Sequence, residues 1–110
     1  NENDIKCFFI PISPGEIDPG KVFELNSIIQ EEKKTLAYCR TGNRSITQWA
    51  FANAKDLDAE IILDKCKSAG FDLNNLKEVL LAIKVSVSLK LINITKLMEL
   101  LLSILLLYLL

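Results

Sequence analysis

The stretch Thr35-Leu36-Ala37-Tyr38-Cys39-Arg40-Thr41-Gly42-Asn43-Arg44-Ser45 decides how this chain is read. Thr35 to Tyr38 is a short apolar run with strand character, and it delivers Cys39 to a glycine-containing loop. Ser45 then opens a helix to about Lys55, with Ile46, Trp49, Ala50 and Ala54 recurring at helical spacing. A thiol at such a junction meets converging backbone N–H groups and the positive end of the helix dipole. Both lower a cysteine pKa and favour the nucleophilic thiolate. Arg40 and Arg44 add fixed positive charge, and a guanidinium grips a tetrahedral oxyanion through two parallel hydrogen bonds. Gly42 permits the tight backbone, and Ser45 is a good N-cap. An isolated cysteine beside a glycine is commonplace at α/β junctions, but here two arginines flank the loop. The stretch therefore predicts Cys39 as a nucleophile within an anion-binding loop of Arg40, Thr41, Gly42, Asn43 and Arg44. Its chemistry would be covalent, on a phosphate- or sulfate-like group.

Working outward, Ile5 to Ile12 predicts a buried strand that ends at Pro11, and Ser13-Pro14-Gly15-Glu16-Ile17 predicts a turn. Asp18-Pro19 has the form of an N-cap followed by proline at the first helical position. Val22, Leu25, Ile28 and Ile29 give that helix one apolar face, and Glu31-Glu32-Lys33-Lys34 is a solvated exit. Beyond the loop, Asp56 or Asp58 caps a third helix carrying Ile61, Ile62, Cys66 and Ala69, which stops at Gly70-Phe71. Asp72 starts one more helix with Leu73 and Leu76. Strands alternating with helices predict an α/β fold with a parallel sheet flanked by helices. Only two strands are found, too few to complete a sheet covered on both faces.

At 110 residues the chain holds one small domain at most, and its net charge of -1 excludes bulk electrostatic attraction to nucleic acid. No basic stripe is present. The three cysteines are odd in number and widely spaced, matching neither a disulfide framework nor a zinc pattern. Cys7 and Cys66 read as small buried hydrophobes. Histidine is absent, which removes Ser-His-Asp and Cys-His catalysis and His-ligated zinc. Activation of Cys39 then falls to dipoles and arginines, with no metal or cofactor implied. A start at Asn1 rather than Met predicts a processed product or a fragment.

Further motifs fall in a recognisable order. Ile10-Pro11-Ile12-Ser13-Pro14-Gly15, Tyr38 to Ser45, Trp49-Ala50 and Ala69-Gly70-Phe71-Asp72-Leu73 together resemble the phosphatase-like domain of bacterial beta-lactamase hydrolase-like proteins, over roughly residues 5 to 76. That domain often stands alone or precedes a metallo-hydrolase domain, a candidate partner here. It is similar in fold to cysteine-based tyrosine and dual-specificity phosphatases, and its loop looks like that of rhodaneses. The resemblance implies Cys39 as nucleophile, Arg44 as the closing arginine and the backbone amides of Arg40 to Ser45 as oxyanion donors. It also implies a Ser45 hydroxyl that assists the leaving thiolate. Phosphatases of that fold use Cys-x5-Arg, whereas four residues separate Cys39 from Arg44, the spacing usual in sulfurtransferases. Ser13 stands where dual-specificity phosphatases place an acid, which leaves Glu16 or Asp18 as candidate general acids. The resemblance also implies that the N-terminal half of the family domain is absent.

Residues 1–76 are thus expected to form a partial phosphatase-like domain, and 77–110 a hydrophobic helical tail. A spanning helix needs about 20 apolar residues. Leu91 to Leu110 reaches that length, with Lys96 and Glu99 as an i,i+3 pair near one end. There each charge costs far less than the roughly 2.5–3.5 kcal/mol of a bilayer centre. Lys77, Lys84 and Lys90 precede the run and, with Lys96 near its start, would keep the domain cytoplasmic. A core helix of a domain whose remainder is absent, or out-of-frame sequence, are the alternatives. Three functional readings follow: a phosphatase-like cysteine hydrolase, a rhodanese-type sulfurtransferase with a persulfide on Cys39, and a non-catalytic remnant with a membrane-attached tail. The first two take a small anionic substrate, a phosphate ester or a thiosulfate-like donor.

Overall fold

Local capping signals determine where the helices begin and end. The computed structural model describes residues 4–32 and 34–110. Helix α1 spans Pro19–Glu31, with Asp18 at its N-cap: Oδ1 accepts from the amides of Gly20 at 2.9 Å and Lys21 at 3.3 Å. Proline at the first position costs nothing there, because its missing N–H would have been an orphan. Helix α2 spans Asn43–Asn53 and α3 spans Ala59–Ser68. Helix α3 ends as its sequence predicts: Phe71 N–H donates to Cys66 O at 2.9 Å and Gly70 N–H to Lys67 O at 2.9 Å, with Gly70 at φ +93°. That is a Schellman stop, which only glycine enters without strain. Asp72 accepts from the Asn74 amide at 3.0 Å and starts a 3₁₀ turn, Asn74–Leu76, that runs directly into α4, Lys77–Leu109.

The expected α/β fold with an incomplete parallel sheet is not what forms. The protein is helical, with no strand among the described residues, in place of the tyrosine-phosphatase- and rhodanese-like layering that the sequence suggests. Residues 5–12 and 35–38 run outside any helix and make no ladder. Phe9 is 87% exposed, Leu36 87% and Tyr38 86%, so the apolar residues that read as strand core are in water. A strand satisfies its backbone only through a neighbour, and two short segments separated by a helix do not supply a sheet.

Burial is concentrated instead where helices meet. Ala50, Phe51 and Ala54 of and just after α2, Ala59, Ile62, Leu63 and Cys66 of α3, and Leu80 of α4 form the buried cluster. Val22, Trp49, Leu73, Leu76, Val79 and Ile83 pack against it. Trp49 is thus a half-buried core residue, as its helical spacing predicts. Helix α1 joins through buried Ile28 and through Asn26 Nδ2, which donates to Ala52 O at 2.6 Å. Lys77 pairs with Glu60 at 2.7 Å and Lys84 with Asp58, tying the start of α4 to α3. Such exposed pairs contribute a few tenths of a kcal/mol, up to about 1. Apolar burial of Leu80 dominates the attachment.

Beyond that anchor α4 leaves the core, and every residue from Leu91 to Leu110 is exposed. The helix is long and apolar enough to cross a membrane. Replacing Leu80 by alanine should destabilise the full chain by about 2–4 kcal/mol. Replacing exposed Leu101 should change it by no more than ~0.5 kcal/mol. Denaturant titration in a mild detergent measures both, and equal effects would show that α4 is not docked.

Candidate functional site

Cys39 sits immediately outside the first turn of α2, and the backbone of the loop wraps back over it. Gly42 N–H donates to Cys39 Sγ at 3.2 Å. The amide and hydroxyl of Ser45 and the amides of Thr41 and Arg44 also lie near enough to favour a charged sulfur. These donors favour the thiolate, Ser45 most strongly, and hold the Cys39 pKa down to about 6 from 9.0 against a smaller opposing effect of desolvation. Cys66 shows the opposite case, since burial in the core pushes its thiol up. Cys7 is exposed, not the buried hydrophobe its sequence context suggests.

Gly42 makes this geometry possible. It is the N-cap of α2 at φ +88°, and a Cβ there would lie 2.9 Å from Cζ of Phe71. The position is closed to other residues twice over, by backbone strain and by the aromatic ring. This also corrects the expected helix start. The helix begins at Asn43, and Ser45, already inside the first turn, spends its hydroxyl on Cys39 rather than on capping.

Other residues singled out in the sequence disperse. Arg44 contributes its amide to Cys39, but its guanidinium Nη1 donates to the Ile12 carbonyl at 3.0 Å. Arg40 and Thr41 are exposed, and Thr41 Oγ1 accepts from the Asn43 amide at 3.4 Å. Glu16 accepts from the Ser13 amide at 2.7 Å and from Lys21 Nζ at 2.9 Å. The Ser13 bond, then the Lys21 bond, hold the Glu16 carboxyl below its ordinary range, which suits a carboxylate and not a proton donor. Asp18 is committed to capping α1. The structure therefore gathers Cys39, Gly42, Ser45 and the loop amides, and leaves both candidate acids engaged elsewhere.

A cleft of about 180 Å³ lies between the Ile12–Ile17 loop and α2, with Arg44 and Gln48 on its helical wall. Sequence reading missed both Gln48 and the Ile12 carbonyl. The one local signal was helical spacing, since Gln48 follows Arg44 by four positions and shares its face. Among the described residues no group of three His, Cys, Asp or Glu side chains could hold a metal ion.

Alkylation by iodoacetamide should follow the thiolate, rising with pH through a midpoint near 6 and reaching a plateau by about pH 8. In Ser45→Ala the midpoint should move up, because the hydroxyl donor is lost while the amide stays. Mass spectrometry of the Cys39 peptide reads both values. Gly42→Ala should cost at least ~1–2 kcal/mol of stability and raise the same midpoint, because relieving the Phe71 contact moves the loop.

Comparison of the chain with protein-family models, curated proteins and solved structures finds no match.

Proposed function

We propose that the protein is a Cys39-dependent enzyme acting on a small phosphate-type ester, as the resemblance of its loop to the phosphatase-like domains of beta-lactamase hydrolase-like proteins implies. The observation that carries this reading is a sulfur held by the Thr41, Gly42, Arg44 and Ser45 amides at the N-terminus of α2, with its pKa down to about 6. The Cys39 thiolate attacks phosphorus, the P–O bond to the ester breaks, and the alkoxide or phenolate leaves with the electron pair. Loop amides that bond the thiolate turn to the equatorial oxygens as charge shifts there. Water then attacks phosphorus, releasing phosphate and restoring the thiolate. With Glu16 ion-paired to Lys21 and Asp18 capping α1, the leaving group takes its proton from water. Esters of acidic phenols should therefore turn over far faster than alkyl esters.

A second reading is sulfur transfer, favoured by the engaged carboxylates and the Cys-x4-Arg spacing. Here Cys39 attacks the outer sulfur of thiosulfate, the S–S bond breaks, sulfite leaves and a persulfide remains. That chemistry needs no acid. In both readings α4 places the helical domain at a membrane, and the lysines at 77, 84, 90 and 96 keep it on the cytoplasmic side.

Intact mass after thiosulfate treatment, beside a Cys39→Ser control, separates the two. No adduct, together with Cys39-dependent release of phenol from an aryl phosphate, is the expected result. An added sulfur that vanishes in the control, with no aryl phosphate turnover, would make the protein a sulfur carrier.

A further inference from the structure

A second, larger cleft of about 500 Å³ opens beside the Cys39 loop, between α2 and the end of α3. That volume falls within the range of small-molecule sites, about 300–1,000 Å³. Its walls include Gly42, whose amide donates to Cys39 Sγ, and Ser45, which favours the thiolate most strongly. Ala37 lines it too. Residues 35–39 run without a turn or bend, and side chains along an extended segment alternate between its faces. Leu36 and Tyr38 are exposed, so Ala37 and the partly covered Cys39 share the face turned to the cleft. The half-buried rings of Trp49 and Phe71 form further walls, together with Lys65 from the last turn of α3. Lys65 is the one charged residue lining the cleft, and its ammonium group has no hydrogen bond or ion pair among the described residues.

We propose that this cleft holds the organic part of the ester as an aromatic ring, and that Lys65 pairs with a second anionic group on that ring. This rests on the phosphate-ester reading of the Cys39 loop and narrows its substrate class to aryl phosphates that carry an acidic substituent. Two aromatic side chains on a largely apolar wall favour a flat ring through offset or edge contacts. The chemistry agrees, because a leaving group that takes no proton from a carboxylate must be a weak base, as a phenolate is and an alkoxide is not. An unpaired ammonium on the same wall distinguishes a carboxylated ring from a neutral one.

Phenyl phosphate and 4-carboxyphenyl phosphate are the two probes, added to the full chain and read in two ways. Fluorescence of Trp49, the chain's only tryptophan, reports the cleft. Protection of Cys39 from iodoacetamide, measured by mass spectrometry of its peptide, reports the loop. Both esters should change the Trp49 signal and protect Cys39 over the same concentrations. The carboxylated ester should do so at an about two- to fivefold lower concentration, the range of one exposed ion pair. That preference should shrink as salt is raised and vanish in Lys65→Met. Lys65→Arg keeps the charge and should keep the preference, which guards against a Met variant that misfolds. Protection of Cys39 with no change at Trp49 would overturn the cleft assignment while leaving the anion loop standing. Equal protection by both esters, or a preference that survives in folded Lys65→Met, would overturn the role of Lys65 and leave it only complementing the C-terminus of α3. If neither ester protects Cys39, although alkylation still titrates near pH 6, the phosphate-ester reading itself falls and the cleft proposal falls with it.

Discussion

The ring of Phe71 lying over Gly42 is the contact on which the loop, the helices and the thiol all depend. Phe71 is placed by the Schellman stop of α3, whose amide bond to Cys66 O turns the chain back toward α2. Gly42 is placed by the need for a left-handed residue at the head of α2. Their approach leaves no room for a Cβ, so the end of one helix is keyed to the start of another. Gly42, held in that approach, is the residue whose amide donates to Cys39 Sγ. The low thiol pKa is thus a consequence of packing as much as of the helix dipole, since the dipole acts only on a sulfur that is held within the first turn.

What was legible in the sequence is what is determined locally. Asp18-Pro19 specifies a helix start through bonds that span two or three residues, and Gly70-Phe71 specifies a helix end through bonds that span three to five. The strands of 5–12 and 35–38 failed for the opposite reason. Their apolar composition is real, but a strand exists only in its pairing, and composition carries no information about whether a neighbour is present. Exposed Phe9, Leu36 and Tyr38 keep the strand-like pattern without the sheet. Ser45 shows a subtler limit: the residue type suits an N-cap, yet Gly42 takes that place and the serine hydroxyl turns to sulfur.

The site divides along the same line. Cys39 and its donors lie within six residues of one another, so their meeting could be read from the loop. Arg44 and Gln48 find their partners, Ile12 O and Glu16 O, across separations of 32 residues, and no spacing rule announces such contacts. The reach of Arg44 to Ile12 has a chemical consequence. A guanidinium bonded to a backbone carbonyl offers less to an anion than one aimed at it, so in the proposed chemistry the amides would carry the oxyanion load. Amides are neutral donors, which suits a chain that has no histidine.

Helix α4 connects that site to whatever surface its far end meets. Its first turns hold Val79, Leu80 and Ile83 against the core, and from Leu91 onward no side chain is covered. The helix is continuous between the two, so the core and the exposed leucines are separated by about 12 Å of helix and no flexible linker. Twenty residues of exposed helix reach about 30 Å, the thickness of a hydrocarbon core. Lys96 and Glu99 fall in the first half of that length, where lysine snorkels toward the interface and the i,i+3 spacing lets the charges pair. Burial of the leucines in lipid would outweigh both charges even at the roughly 2.5–3.5 kcal/mol of a bilayer centre, because each fully buried leucine contributes about 1.5–3 kcal/mol relative to water. A helix docked at one end by Leu80 and inserted at the other would fix the Cys39 loop within a few tens of ångströms of the bilayer, at a distance determined by helix rise rather than by chain flexibility.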